Sequence, residues 1–307
     1  MGLISLIAAL LCEQLRPLAD QRYLSAQVER YANFLERQFN AGEAQQGVVA
    51  WSVAVLPPVL LAWLMYALLI RWSPLLALGF NVLALYFTMG FRQFSHYFTD
   101  IHLALKQDEL GRARELLALW RGHDCGDLSR EEVARLTIEE ALAASHRHVF
   151  AVVFWFVILP GPSGAILYRL AYFLRRRWGG SETPELVRFG RFARQAFEAL
   201  DWPAVRFTAA AFAIVGDFED AIYCWRTQAA KWSDRALGIV LAAGAGAIGV
   251  RLGNPVVIQG TVLERQELGL GEEADAGFFD STIGLVWRAL VLWLLMLLLL
   301  GIARAVS

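Results

Sequence analysis

The sequence carries little charge and almost no excess of either sign. Charged residues make up 19% of the 307 residues, and 28 lysines and arginines nearly balance 29 aspartates and glutamates. A soluble domain usually carries about 25% charged residues, and a protein that binds nucleic acid through its phosphates needs a basic surface. The composition therefore argues against an ordinary soluble domain and predicts no nucleic-acid partner.

Cysteine pairs and the common catalytic motifs are also missing. Cys12, Cys125 and Cys224 are odd in number and far apart, so they form neither a disulfide framework nor a metal-binding spacing. The chain has no GxxxxGK[ST] phosphate loop and no GxSxG nucleophile motif. The cysteine usage is typical of a reducing, cytoplasm-facing environment.

Long apolar stretches dominate instead. Hydrophobic residues make up 57% of the chain, the mean hydropathy is +0.44, and there are 11 tryptophans and 19 phenylalanines. Segments 48–70 and 283–303 approach or exceed the roughly 20 apolar residues that a membrane-spanning helix needs. Segment 74–90 follows the first after a short loop and predicts a helical hairpin. The apolar start of the chain lacks a basic region before it and is interpreted as a retained helix.

Segment 149–174 is apolar but interrupted. Two halves of about ten residues flank Pro160-Gly161-Pro162-Ser163-Gly164, and each half is too short to span a membrane alone. Either one kinked span or a re-entrant pair of helices would fit. Segment 204–216 is shorter and rich in alanine, which is typical of closely packed helices.

These patterns predict an all-α fold, a polytopic α-helical membrane protein with amphipathic cytoplasmic helices and a broken or re-entrant helix. The amphipathic stretches are 91–120, 129–143, which opens with a capping signature at Ser129, and 184–200. Most lysines and arginines near the hairpin lie outside its turn, which places the flanking segments in the cytoplasm. We therefore expect a multi-pass protein of the bacterial inner membrane, with one domain spanning 1–307.

Ionisable side chains cluster beside the interrupted segment. His146, Arg147 and His148 precede it directly, and Arg169 lies within it. Arginine binds phosphate or carboxylate through a planar fork of donors, so these residues indicate an anion site, although contact with lipid head groups would explain them equally well. Their spacing does not match a metal-ligand motif, and no metal site is predicted.

Two further groups of residues fit the same kind of site. His96 and Asp100 share one face of a helix, as positions four apart do. Glu139 lies on the same broad face as His146, where it could pair with Arg147 or bind Mg²⁺ with a nucleotide. A solvated helix face is the alternative for Glu139.

An ordered series of segments over 91–303 resembles the CobD/CbiB family, membrane proteins of cobalamin biosynthesis, and the related AmpE proteins. The matching pieces are LALKQDELGRAR, EEVARLTIEEALAASHRHVFAVVFWFV, PGPSGAILYRLAYFL, ALDWPAVRF, LAAGAGAIGVRLGNP and DSTIGLVWRALVLW. The resemblance to CobD/CbiB proteins implies ATP-dependent amide formation between adenosylcobyric acid and aminopropanol or its phosphate.

With this resemblance in view, candidate roles can be assigned. The candidate catalytic residues are Glu139, His146 and His148, and the candidate substrate- or anion-binding residues are His96, Asp100, Arg147, Tyr168, Arg169, Arg251 and Asn254. ATP and Mg²⁺ are expected if the protein is an enzyme, and no cofactor otherwise. The expected partners are the lipid bilayer and an anionic or corrinoid-type small molecule, and self-association is left open.

The sequence departs from the family pattern at several polar positions. A stretch resembling ETVAENT becomes EALAAS after Glu139, and one resembling NTLDSM becomes YFLRRR at 172–177. These losses remove groups that a ligase could use to hold ATP and Mg²⁺. The alternative is therefore a non-enzymatic AmpE-like signalling protein linked to β-lactamase induction or cell-wall sensing.

Overall fold

The structure is a computed structural model that describes residues 2–15, 21–40, 43–180, 184–258 and 261–306. Helices form nearly all of it, which confirms the all-α prediction. The α-helices are α1 (Gly2–Leu15), α2 (Gln21–Phe39), α3 (Ala44–Trp72), α4 (Pro74–Thr88), α5 (Phe91–Lys106), α6 (Leu110–Arg121), α7 (Arg130–Ser145), α8 (Ala151–Ile158), α9 (Ser163–Trp178), α10 (Pro184–Phe189), α11 (Arg191–Val215), α12 (Phe218–Thr227), α13 (Arg235–Ile248) and α14 (Phe278–Val306).

Four short strands complete the structure. β1 (Val250–Arg251) pairs in parallel with β4 (Glu272–Glu273), and β2 (Val256–Ile258) pairs antiparallel with β3 (Thr261–Leu263). They lie between α13 and α14. The strands therefore organise a connection and do not form a layer of the fold.

Three helices are long and apolar enough to cross a membrane. They are Ala44–Trp72, Arg130–Ile158 and Phe278–Ala303, with mean hydropathy values of 2.3, 1.6 and 2.5. In its most apolar stretch the second is 67% buried, whereas the first and third are only 17% and 28% buried. The exposed apolar surface of the first and third helices is what lipid contact requires. The pattern is that of a polytopic α-helical membrane protein.

The contacts divide the chain into two compact units. One comprises Met1–Gly90 with Ala151–Ala204, and the other comprises Phe91–Phe150 with Val205–Ser307. This grouping of contacts does not test the prediction of a single domain over 1–307, which stays a prediction.

In the first unit, α3 packs against α2, α4, α9 and α10, and α1 packs against α4. Helix α3 approaches α10 closely at Gly47, where a Cβ atom would lie only 2.0 Å from the carbonyl oxygen of Phe189. Helices α8 and α9 form a hairpin whose turn contains Gly161, with φ of 63°. The ring of Tyr66 covers that glycine.

In the second unit, α7 packs against α5, α6, α13 and α14, and α12 packs against α13. Small residues allow these close approaches. A Cβ atom on Gly246 would lie 2.5 Å from the carbonyl oxygen of Asp220, and one on Gly244 would lie 2.8 Å from the side chain of Leu142. The small-residue segment of α13 therefore acts as a packing surface.

Several predicted boundaries need correction. The single amphipathic segment 91–120 is two helices, since the chain breaks between α5 and α6, where Asp108 has φ of 61°. Segment 184–200 is also interrupted, because α10 ends at Phe189 and α11 begins at Arg191. Helix α11 then continues to Val215, so segment 204–216 is the end of a 25-residue helix.

The first half of 149–174 is not an independent ten-residue helix. A π-helical turn, His146–Phe150, joins α7 to α8, and the resulting helix Arg130–Ile158 is 29 residues long. The predicted break does occur, at residues 159–162 before α9. Spanning and re-entrant arrangements of α8 and α9 both stay open as predictions.

Candidate functional site

A buried ion pair lies at the centre of the second unit. The side chains of Glu139 and Arg265 are only 7% and 10% exposed, and Arg265 Nη1 lies 2.6 Å from Glu139 Oε2. Arg265 Nη2 donates to Glu139 Oε1 over 3.2 Å, so the contact is bidentate. A buried carboxylate must have its oxygens satisfied to be tolerated, and Glu139 also accepts a hydrogen bond from the Gly253 amide over 2.9 Å.

Helix α7 presents Glu139 because its N-terminus is fixed locally. The Ser129 hydroxyl accepts a hydrogen bond from the Glu132 amide, and the Glu132 carboxylate accepts one from the Ser129 amide. This reciprocal capping box satisfies two amide groups that a helix start would otherwise leave unpaired. Residues on several faces of α7 are buried, so Glu139 is held inside the unit instead of on a solvated face.

Arg265 joins the loop between α13 and α14 to this helix. Its Nε donates to the Asn254 carbonyl over 3.1 Å, and its Nη2 donates to the Gly253 carbonyl over 2.9 Å. The guanidinium also lies over the Trp232 ring, 5.5 Å from its centroid. With its donors distributed over a carboxylate and two carbonyls, Arg265 acts as the main anchor of the loop.

Two consecutive residues of the loop, Gly253 and Asn254, have positive φ angles, which residues with a side chain rarely adopt. Gly253 has φ of 79°, and a Cβ atom there would lie 2.0 Å from the Gln266 carbonyl oxygen. Asn254 follows with φ of 63°, in the region where asparagine is better tolerated than most residues. The Gln228 side chain both donates to and accepts from the backbone of Gly269. The loop is therefore tied to the helices at two separate places.

Two more arginines surround the anchored loop. Arg135 on α7 donates from Nη2 to the Pro255 carbonyl over 3.4 Å. Arg251 on β1 has its Nη2 atom 3.6 Å from Glu273 Oε1 on the paired strand β4. Arg265 and Arg135 thus contact the backbone of residues 253–255, and Arg251 lies two residues before that stretch. Of the predicted residues, Glu139, Arg251 and Asn254 belong to this cluster.

The predicted histidines have different surroundings. His146 is buried in the same unit, and its Nδ1 lies 2.9 Å from the Thr208 hydroxyl. Arg147 and His148 are half-buried in the same π-helical turn. His96 and Asp100 form the predicted pair, at 3.4 Å, on the exposed face of α5. Among the described residues, no hydrogen bond or ion pair joins that pair to Glu139 or Arg265.

Tyr168 and Arg169 lie in the first unit. Tyr168 is fully buried, and its hydroxyl donates to Asp201 Oδ1 over 2.8 Å. The Arg169 guanidinium lies 5.9 Å from the centroid of the Tyr172 ring. These contacts give both residues defined positions on α9, and their predicted role in binding an anion stays a prediction.

The sequence analysis missed Arg265, Arg135 and Thr208. Arg265 is 126 residues from its partner, so no local spacing connects the two. One signal was available, because Arg265 is the single basic residue in 261–275, a stretch that holds four glutamates. A lone cation in an acidic loop often has a buried carboxylate partner, but the sequence does not identify which one.

Comparisons with known proteins agree with one another. The family model described as "CobD/Cbib protein" matches residues 7–286. A "Cobalamin biosynthesis protein CobD" of Stutzerimonas stutzeri is 35% identical over 303 residues, which cover 97% of each chain. The protein of the same name in Chromobacterium violaceum is 35% identical over 248 residues, covering 81% of this chain and 77% of that one. No solved structure matches the chain.

Proposed function

The chain belongs to the CobD/CbiB family of cobalamin biosynthesis, and we propose that it catalyses ATP-dependent amide formation between adenosylcobyric acid and aminopropanol or its phosphate. The observation that carries the proposal is the convergence of Arg135, Arg251 and Arg265 around the loop anchored by Glu139. Amide formation from a carboxylate requires that carboxylate to be activated by phosphoryl or nucleotidyl transfer, and cationic groups stabilise the charge that develops there.

Arg135, Arg251 and the histidines would divide this work, while Arg265 holds the loop in place. Guanidinium groups would orient phosphate and carboxylate oxygens, while the attacking amine must lose a proton as the amide bond forms. His148 is half-buried in the π-helical turn and is the candidate base for that proton. Glu139 has both carboxylate oxygens bonded to Arg265 or to the Gly253 amide, so in this arrangement it positions the loop.

The described residues do not form a site for a resident Mg²⁺ ion. No group of three or more histidine, cysteine, aspartate and glutamate side chains is close enough among them to hold a metal. The Glu139 carboxylate is also engaged by Arg265. The prediction of Mg²⁺ therefore stands for an ion that arrives with a nucleotide.

The proposed reaction also determines which side of the membrane the arginine cluster must face. A reaction that uses a cytoplasmic nucleotide requires the arginine cluster to face the cytoplasm, and we propose that the protein is a multi-pass protein of the inner membrane. Cysteine scanning with a membrane-impermeant maleimide in intact cells tests this orientation. In a background that carries Cys12→Ser, because Cys12 is itself exposed, Glu273→Cys should be labelled only after the cells are opened.

Complementation tests the function. The gene is expressed in a bacterium that lacks its own CobD/CbiB enzyme, and growth that depends on cobalamin made from cobyric acid is measured. We expect rescue by the wild type and loss of rescue in Arg265→Gln. The matched control is Arg112→Gln, which removes an exposed ion pair with Glu109 in the same unit.

Failure of rescue by a well-expressed, membrane-inserted wild-type protein would contradict the proposal. The non-enzymatic, AmpE-like alternative would then be examined through cell-wall and β-lactamase-induction phenotypes. Incubation of the purified protein with cobyric acid, ATP and aminopropanol, followed by mass spectrometry of the amide, separates a catalytic defect from a defect in expression.

A further inference from the structure

The Nε atoms of Arg135 and Arg251 are buried without a hydrogen-bond acceptor among the described residues. Arg265 differs, because its Nε, Nη1 and Nη2 atoms all donate to oxygens at 2.6 to 3.2 Å. A buried donor on a charged group is normally paired. Arg135 and Arg251 therefore each have an Nε donor that is still available, whereas the Nε, Nη1 and Nη2 atoms of Arg265 are all engaged.

The carboxylates next to these arginines are held weakly. Arg251 Nη2 lies 3.6 Å from Glu273 Oε1, and Arg135 Nη2 lies 4.0 Å from Glu132 Oε1, both longer than a hydrogen bond. The Glu273 side chain is 79% exposed. An incoming anion can replace a carboxylate that is exposed and loosely paired, whereas it cannot replace Glu139 without dismantling the loop.

We propose that Arg135 and Arg251 bind a phosphate group, which takes the place of Glu273 beside the anchored loop. A phosphate offers three terminal oxygens, enough to accept from the Nε and Nη donors of two planar guanidinium groups. Glu132, Glu139 and Glu273 balance the three arginines of the cluster. When Glu273 moves away, one negative charge leaves the cluster as the phosphate arrives. The incoming anion therefore meets less repulsion than it would if Glu273 stayed beside Arg251.

The choice of phosphate over another oxyanion rests on the proposed function. Aminopropanol phosphate and ATP both carry this group, and the contacts do not depend on which molecule supplies it. Phosphate binding is measured without a corrinoid and without turnover. Binding can therefore be detected when complementation fails, and it can be absent when complementation succeeds.

Calorimetric titration of the purified full-length protein in lipid nanodiscs tests the proposal. The probes are aminopropanol phosphate, ATP and, as the ligand control, aminopropanol. We expect Arg135→Gln and Arg251→Gln each to weaken binding of at least one phosphate probe about tenfold or more, since each removes charge-assisted hydrogen bonds. The probe affected identifies the source of the phosphate, and binding of aminopropanol should not change.

Glu273→Gln should act in the opposite direction. It removes the competing carboxylate and should tighten phosphate binding severalfold, while Arg112→Gln, at an exposed ion pair in the same unit, should leave binding unchanged. Because Glu273 is exposed, this variant keeps the test decisive even if the arginine variants fold poorly. Arg135→Lys retains the positive charge but loses the planar set of guanidinium donors, so it should bind phosphate more weakly than the wild type.

Three results would overturn the proposal. One is that neither phosphate probe binds the wild type. Another is that folded Arg135→Gln and Arg251→Gln bind both probes as the wild type does. The third is that Glu273→Gln weakens phosphate binding.

Discussion

Replacing Arg265 with glutamine should release the loop between α13 and α14. The change removes the bidentate contact with Glu139 and the guanidinium donors to the Gly253 and Asn254 carbonyls. It also leaves the Glu139 carboxylate buried, with the Gly253 amide as its one remaining hydrogen-bond donor among the described residues. Breaking a buried ion pair from one side costs about 3–5 kcal/mol, because the remaining charge is uncompensated.

Hydrogen–deuterium exchange of the peptide containing Gly253 measures this loss directly. The Gly253 amide donates to Glu139, so its exchange reports opening of the anchored loop. A loss of about 3–5 kcal/mol corresponds to exchange that is faster by roughly two to three and a half powers of ten. Peptides from α12, which the change does not touch, should exchange as in the wild type.

The double variant Glu139→Gln/Arg265→Gln separates pairing from loss of contacts. If the damage comes from an uncompensated charge, the double variant should be less destabilised than the sum of the two single variants. Unchanged exchange at Gly253 in Arg265→Gln, or single effects that simply add, would refute the assignment of this pair as the anchor.

Three further changes test other parts of the fold. Gly161→Ala should lower the thermal unfolding temperature, because the new Cβ atom would lie 2.4 Å from the ring of Tyr66 at a residue with φ of 63°. Cys224 should resist N-ethylmaleimide at pH 8 until the protein unfolds, because burial, with a smaller contribution from Asp220, raises the pKa of its thiol to about 11. Stability should fall as the pH drops below about 6.5, because burial, assisted by nearby Lys106, lowers the pKa of His102 in the folded protein.

Each of these predictions has its own control. Gly122→Ala shares the positive φ, at 74°, but meets nothing within 4 Å, so it isolates the backbone cost from the clash. Exposed Cys12 should react with maleimide while the protein is folded. For His102, the unfolded chain binds more protons than the folded one between the two pKa values, and this difference produces the pH dependence. An identical pH dependence in His102→Gln would contradict that assignment.

The sequence predicts the features that local chemistry determines. The capping signature at Ser129 forms the predicted capping box, and the proline–glycine cluster at 160–164 does end one helix and begin another. Segments 48–70 and 283–303 are continuous long helices. In each case the information lies within about one or two helical turns, or in an apolar run that can be counted directly.

Contacts between distant segments were not predictable in the same way. Gly47 and the Phe189 carbonyl are neighbours only because two helices cross there, and Glu139 meets Arg265 only because the loop folds back. Such pairs require knowledge of which surfaces pack together. Of the residues in the cluster, Glu139, Arg251 and Asn254 were named from the sequence as candidates, and their roles stay predictions. Arg265, which joins Glu139 to the Asn254 carbonyl, was not named.

The abrupt change from polar to apolar residues after His148 has a structural explanation within the second unit. Five residues, His146–Phe150, form a π-helical turn, which inserts an extra residue relative to α-helical spacing. His146 meets the Thr208 hydroxyl, while the ring of Phe150 packs edge-on against Phe212. Both partners, Thr208 and Phe212, lie on α11, about one helical turn apart. The polar His146 and the apolar Phe150 thus each contact a side chain of matching polarity on α11. The change from polar to apolar sequence therefore follows the change of contacts along α11. It does not require a boundary between water and lipid at this point.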